Sequence, residues 1–161
     1  MASDAQEELV DALIDAHAME KQSLTTLQAA LRVAGDPQLE ALYHGHVAET
    51  KRHIQLLEAR LEAYDSSRSF LKDLGGRVSA LALGAGVVAQ KNTPAKLVAV
   101  AYGYENFEVA SYELLRRLAV RAGDTETVEA VDRILVNERQ AAAKLEASYD
   151  LALQGAGVVH A

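Results

Sequence analysis

The chain has 161 residues, half of them apolar, with a net charge of −7, no cysteine and only 2 prolines. That length buries a core without staples, and the proline-poor composition favours long helices over strands. The acidic balance argues against nucleic acid as a partner, the missing thiols exclude disulfides, iron–sulfur clusters and thiolate zinc sites, and no apolar run is long enough to span a bilayer.

The N-terminal residues, MASDAQEE, show no signal peptide or membrane anchor, so a cytoplasmic location is expected. The pattern predicts one all-α domain over the whole chain, 1–161. Ser3 or Asp4 caps a first helix over about 4–34, and Gly35 supplies its left-handed stop. Its apolar stripe runs Leu9, Leu13, Ala16/His17, Glu20, Leu24, Leu27, Leu31, so Glu20 stands where an apolar residue is demanded. Asp36 and Pro37 open a second helix over about 37–64, and the short loop makes the first two helices an antiparallel pair. On the second helix Leu39, Leu42, His46, Glu49, His53 and Leu56 follow steps of three and four. The middle of that stripe is a carboxylate between two imidazoles, the donor types of a transition-metal site.

Residues 65–93 change in composition, from DSSRSF to a Gly/Ala/Val-rich run holding Gly75, Gly76, Gly84 and Gly86. This is too long for a hairpin and predicts a partly helical crossover along a bundle. Thr93 and Pro94 start a third helix over about 94–122, stopped by Gly123, with Leu97, Ala101, Tyr104/Glu105, Glu108, Tyr112 and Leu115 as its stripe. Asp124 caps a fourth helix over about 125–153 carrying Val128, Val131, Leu135, Glu138, Ala142, Leu145 and Tyr149. The tail 155–161, with His160, has no pattern.

Every long helix therefore carries an acid near its midpoint: Glu20, Glu49, Glu108 with Glu105 one turn away, and Glu138. Antiparallel helices of matched length bring their centres to one level, so these side chains are expected to converge. The nearly equal intervals from Glu20 to Glu49 and from Glu108 to Glu138 suggest a duplicated helical hairpin. A single acid in an apolar stripe usually snorkels to solvent; coincidence across four helices is what argues for a shared interior site. Two carboxylates about 4 Å apart repel by roughly 4 kcal/mol at an effective dielectric near 20. A domain is stable by only about 5–15 kcal/mol. The acids must therefore either share protons, with raised and coupled pKa values, or be neutralised by two divalent cations.

The cations fit better, and the candidate ligands are Glu20, Glu49, His53, Glu105, Glu108, Glu138 and His46. His46 and His53 stand a turn to either side of Glu49, and a turn of 5.4 Å means both need not reach the same ion. Glu138 is followed by Ala141 and Ala142, so the fourth helix offers no histidine and one metal position is expected to be poor in imidazole. His17 is placed beside Glu20 as support or packing, and His44 on the surface. Tyr104 and Tyr112 are core aromatics whose buried hydroxyls seek a carboxylate. Lys21, Arg52 and Arg139 adjoin proposed ligands but lie on the outer face.

AMEKQSLTTL around Glu20, HVAETKRHIQLLEA around Glu49, YENFEVASYELL around Glu105 and Glu108, and NERQAAAKL around Glu138 resemble the YciE/YciF-type bacterial family of ferritin-like proteins. The likeness runs from about Glu7 to Tyr149, and the family is distantly similar to rubrerythrin. It implies a ferritin-like four-helix bundle of two antiparallel hairpins joined by a long crossover. It also implies a dinuclear iron site, with manganese or zinc as other possible ions, and more loosely a stress-associated role. One departure is plain: ferritin-like sites usually carry Glu-x-x-His on two helices, and here Glu49 is followed at that spacing by Arg52, with His53 one residue later. Two functions are expected to compete. One is an iron-dependent oxidoreductase that oxidises ferrous iron with peroxide or dioxygen and draws on an external reductant. The other is a metal-free structural or interaction stress protein acting as a homo-oligomer, a homodimer being the expected assembly.

Overall fold

Capping chemistry sets the helix limits in the computed structural model, which describes residues 4–64 and 93–155. The helices are α1 (Asp4–Leu31), α2 (Pro37–Ala63), α3 (Pro94–Ala122), α4 (Thr125–Ala147) and α5 (Tyr149–Gly155). Asp36 Oδ1 accepts from the Gln38 and Leu39 amides at 2.7 and 3.3 Å, and Thr93 Oγ1 accepts from the Lys96 amide at 3.3 Å. In both cases proline occupies the first turn, where no amide donor is needed. Gly123 closes α3 at φ 73 and Gly35 turns the chain at φ 68, conformations that cost a side-chain-bearing residue strain.

Two boundaries differ from expectation. α1 ends at Leu31, because the Arg32 and Val33 amides bond back three residues, to the Ala29 and Ala30 carbonyls, and tighten the last turn before Gly35. The predicted fourth helix is two helices: the Ser148 amide and hydroxyl both donate to the Leu145 carbonyl, at 3.0 and 2.8 Å, breaking the ladder. The short α5 then packs on α3. The predicted crossover, apart from Thr93, and the tail after Gly155 lie outside the described residues.

α1 with α2 and α3 with α4 form two antiparallel hairpins, and the hairpins pack chiefly through α1 and α3. The result is an all-α four-helix bundle. No described helix is long and apolar enough to cross a membrane. Two apolar clusters fill the interior. One gathers Leu9, Leu13, Leu57, Tyr112, Leu115 and Leu135; the other gathers Leu27, Leu39, Tyr43, Leu97, Ala101 and Leu145. Each fully buried leucine contributes about 1.5–3 kcal/mol. On every long helix the acids fall between the residues of the first cluster and those of the second, so the apolar ends position a polar layer and exclude water from it.

The core face of α2 differs from the predicted stripe. Tyr43, Thr50, Ile54 and Leu57 are buried with His46 and His53, whereas Leu42, Glu49 and Leu56 are only half-buried. From His46 a helix offers both the third and the fourth following residue to one face. Packing on α1 and α4 selects the line through Thr50 and leaves Glu49 at its edge.

Candidate metal centre

α1 contributes Glu20, α2 contributes His46 and His53, α3 contributes Glu105 and Glu108, and α4 contributes Glu138; all six are buried. His46 Nε2 lies 2.9 Å from Glu105 Oε1 and 3.8 Å from Glu138 Oε2. His53 Nδ1 lies 2.7 Å from Glu138 Oε1 and 3.2 Å from Glu20 Oε1. Those last contacts are close in distance but not in hydrogen-bond geometry, and His53 Nδ1 remains without a partner. Two groups of converging donor atoms result: His46, Glu105, Glu108 and Glu138 in one, Glu20, His53 and Glu138 in the other, each with its atoms within 4.8 Å of one another. Glu138 belongs to both.

Each group thus contains one imidazole, both from α2. The histidines are seven residues apart, about 10.5 Å along the axis at 1.5 Å per residue, and so serve different groups. The expected shortage of imidazole at one position is corrected by this division. Glu49 joins neither group. Its side chain is 21% exposed, and Oε2 stands 3.4 Å from His46 Nδ1, on the side of the ring away from the acids. Glu105, expected beside the stripe, is only 1% exposed and faces His46 directly.

The surrounding side chains hold the acids in place. The Tyr112 hydroxyl, fully buried, donates to Glu20 Oε1, and the Ser23 hydroxyl donates to Glu108 Oε2 at 3.5 Å. Tyr104 donates instead to the Met19 carbonyl at 3.1 Å. His17 turns away to Glu58, 3.1 Å distant. His44, Lys21, Arg52 and Arg139 are exposed. Sequence reasoning missed Ser23 and Thr50. Ser23 is one turn after Glu20, and Thr50, wholly buried, lies between His46 and His53 on the selected face. Their spacing was the available signal; their ordinary chemistry concealed it.

Electrostatics separates the acids. Burial pushes the Glu108 carboxyl well above its usual range, and the charges of Glu105, Glu20 and Glu138 push it further. Burial raises Glu20 against the opposing pull of His53, and raises Glu105 to about 8 against that of His46. Burial would also raise Glu138, but His53, Glu105 and His46 together hold it below the ordinary value. Burial disfavours both imidazolium ions, yet Glu105 and Glu138 beside His46, and Glu138 and Glu20 beside His53, lift each to about 9. Without metal, the layer is an assembly held together by shared protons, built around an ionised Glu138.

Several carboxylate oxygens in this layer have no hydrogen-bond partner among the described residues: Glu20 Oε2, Glu105 Oε2, Glu108 Oε1 and both oxygens of Glu138. A buried polar atom left unpaired is costly, and a row of them pointing into one space fits cations. Carboxylates with one imidazole per group suit iron, manganese or zinc.

The family model described as a domain of unknown function, DUF892, matches residues 4–155. A protein of known structure from Xanthomonas campestris is 26% identical, with 94% of each chain covered and a TM-score of 0.74. The E. coli stress protein YciF is 24% identical over 98% of this chain and 99% of its own, with a TM-score of 0.72. A ferritin-like, diiron-carboxylate protein from Bacillus anthracis is 17% identical over 91% and 99%, with a TM-score of 0.70. The solved structures agree with the bundle, and the family match over residues 4–155, which fits the YciE/YciF-type ferritin-like resemblance, shows that the chain belongs to the DUF892 family.

Proposed function

We propose that this chain is a ferritin-like metal protein that holds two divalent cations, iron first among them, in the acid layer between its apolar ends. One ion would be held by His46, Glu105, Glu108 and Glu138, and the other by Glu20, His53 and Glu138, Glu138 being common to both groups. The observation that carries this reading is the set of unpartnered, buried carboxylate oxygens contributed by α1, α3 and α4.

An iron pair, when bound, supplies the electrons that reduce peroxide or dioxygen. The residues of the chain do the rest. Tyr112 fixes one oxygen of Glu20 and leaves the other free to bind. His46 is oriented by Glu49 on one nitrogen and presents the other to Glu105. The apolar clusters keep out bulk water, so each charge interaction in the layer is stronger than at the surface. Because the sequence has no cysteine, reducing equivalents come from another molecule. The E. coli relative YciF is a stress protein, which accords with an oxidant-consuming iron protein.

Protons are the rival occupants. The raised values of Glu105, His46 and His53 favour, as the second reading, a metal-free structural or interaction protein whose acids share protons. Anaerobic loading with ferrous iron, followed by elemental analysis and anomalous diffraction at the iron edge, separates the two. The expected result is two ions per chain in the wild type and none in Glu138→Ala. Wild-type protein that retains no iron, manganese or zinc, and melts at the same temperature with and without them, ends the metal reading in favour of the proton-sharing one.

A further inference from the structure

Among the described residues the bundle is closed unevenly. α1 packs closely on α2 and α3, and α3 on α4, but α2 and α4 touch far less along their shared seam. A cavity of about 250 Å³ opens there. Gly45 and Ala141 contribute no bulk to its walls, Leu145 and Lys144 stand on the α4 side, and His46 and Glu49 stand on the α2 side.

Gly45 is the informative residue. It lies inside α2, where glycine costs roughly 0.5–1 kcal/mol relative to alanine. The backbone does not require it, since its φ is not positive. Neither does packing: a Cβ built there meets nothing within 4 Å. What its missing side chain does provide is open space beside His46.

The imidazole of His46 separates this cavity from the acids. Nδ1 faces Glu49 at 3.4 Å on the cavity side, and Nε2 faces Glu105 at 2.9 Å on the buried side. Glu49 has a side chain 21% exposed, whereas those of Glu105 and Glu138 are each 1% exposed. Glu49 therefore meets both solvent and a ligand of the layer, which neither buried acid does.

We propose that the cavity between α2 and α4 is the port through which divalent cations reach the acid layer, Glu49 taking the cation from solvent and delivering it past His46. This rests on the metal reading above. Lys144, at the mouth opposite Glu49, opposes the approach of cations and so slows their passage.

The test is stopped-flow loading of the metal-free full chain with Co²⁺, read by visible absorption, together with chelator-driven release. Leucine at position 45 is a good helix former that fills open space, so Gly45→Leu is expected to fold. It should slow loading and release alike by roughly tenfold, leaving the dissociation constant unchanged, because an obstructed passage hinders both directions equally. Glu49→Gln should also slow loading, and Lys144→Glu should speed it, most clearly at low ionic strength. Gly45→Leu and Glu49→Gln chains that load at the wild-type rate, to the wild-type stoichiometry, overturn the port and leave the metal reading standing. Should Gly45→Leu not fold, wild-type rates in both Glu49→Gln and Lys144→Glu overturn it equally. Wild-type protein that takes up no Co²⁺ at equilibrium overturns both.

Discussion

Two clusters of charge sit within the same bundle, and they are settled in opposite ways. At one end Arg60 reaches from α2 to Asp124, the N-cap of α4, with Nη2 3.1 Å from each carboxylate oxygen. Arg60 Nε donates to Thr127 at 2.9 Å, and the Tyr64 hydroxyl donates to Asp124 Oδ2 at 2.6 Å. Asp124 also accepts from the Thr127 amide and hydroxyl, at 2.9 and 2.5 Å. Burial would raise Asp124, but Thr127, Tyr64 and Arg60 hold it down at about 2. In the middle layer, among the described residues, no arginine or lysine reaches the acids; they face two histidines, and several of their oxygens have no hydrogen-bond partner. The end clasp carries its own cation. The middle layer has only its two histidines, groups that can give up their protons to a cation from outside, and on the metal reading this difference separates a structural ion cluster from a binding site.

The sharpest break between the two regions is removal of metal. An ion present at a thousandfold its dissociation constant adds about 4 kcal/mol, and each kcal/mol moves the melting temperature of a domain this size by roughly 2–4 °C. Stripping two ions should therefore lower the melting temperature by roughly 15–30 °C, read by calorimetry with and without chelator. The clasp should register none of this: the melting-temperature loss caused by an Asp124 substitution should be the same in both states.

Next in size is the pH dependence of the metal-free protein, where the two regions have opposite signs. His46 and His53 rise from 6.5 to about 9, so their contribution is complete below 6.5 and is lost as pH climbs toward 9. That is on the order of 3 kcal/mol for each. Glu105 adds to the same trend, since protonation favours the folded state and this advantage disappears as pH rises from 4.5 to about 8. Asp124 behaves conversely: its contribution is present above 3.8 and is lost as pH falls toward 2. Urea titrations of metal-free protein should show stability declining between pH 6.5 and 9. The same protons must leave when metal binds, so affinity for metal should increase over that interval. Stability that stays level across it would contradict the shared-proton description of the layer.

The sequence made most of this contrast legible, though unequally. Asp36–Pro37, Thr93–Pro94, Asp124 and Gly123 are local signals, since a cap involves only the next few residues, and the structure uses each of them, whereas Gly35 has the left-handed backbone but lies beyond the end of α1. The convergence of Glu20, Glu108 and Glu138 was readable because acids interrupt apolar periodicity on three separate helices. Glu49 stands apart from the two groups for a physical reason. Third and fourth neighbours of His46 share one face, and their chemistry favours the glutamate, but the actual rotation of α2 is decided by what α1 and α4 place opposite it. Thr50 and Ser23 were overlooked because a buried hydroxyl leaves no mark on a hydropathy pattern. Arg60 was illegible too: its partners Asp124 and Thr127 lie on another hairpin, and nothing in the local sequence of α2 announces them.

A substitution in the clasp comes third. Asp124→Ala removes a helix cap worth about 1 kcal/mol and leaves Arg60, whose side chain is only 15% exposed, without its main partner. A partly buried pair broken on one side adds to the loss, for a total of about 3 kcal/mol in chemical denaturation, with metal stoichiometry unchanged. Loss of bound metal in this variant would show that the clasp and the layer are coupled and would undo their separation.

The smallest effect is the most discriminating, because its sign is opposite. Glu108 is wholly buried, with Oε1 unpartnered and neighbouring acids on several sides. Glu108→Gln keeps the shape and the contact with Ser23 while removing a carboxyl that the metal-free layer tolerates only in its protonated form. Replacing a poorly compensated buried ionisable group is commonly neutral or stabilising. Metal-free Glu108→Gln should therefore match or exceed the wild type by about 1 kcal/mol at neutral pH, with the larger gain toward pH 9, where the wild-type layer is losing its protons. Calorimetry of the metal-free variant would read the gain, and metal titration of the same sample should show the ion held by His46, Glu105 and Glu138 weakened. A stabilised variant that binds less metal is the signature of acids kept for function at the expense of folding. A destabilised one would mean that Glu108, like Asp124, is part of the scaffold.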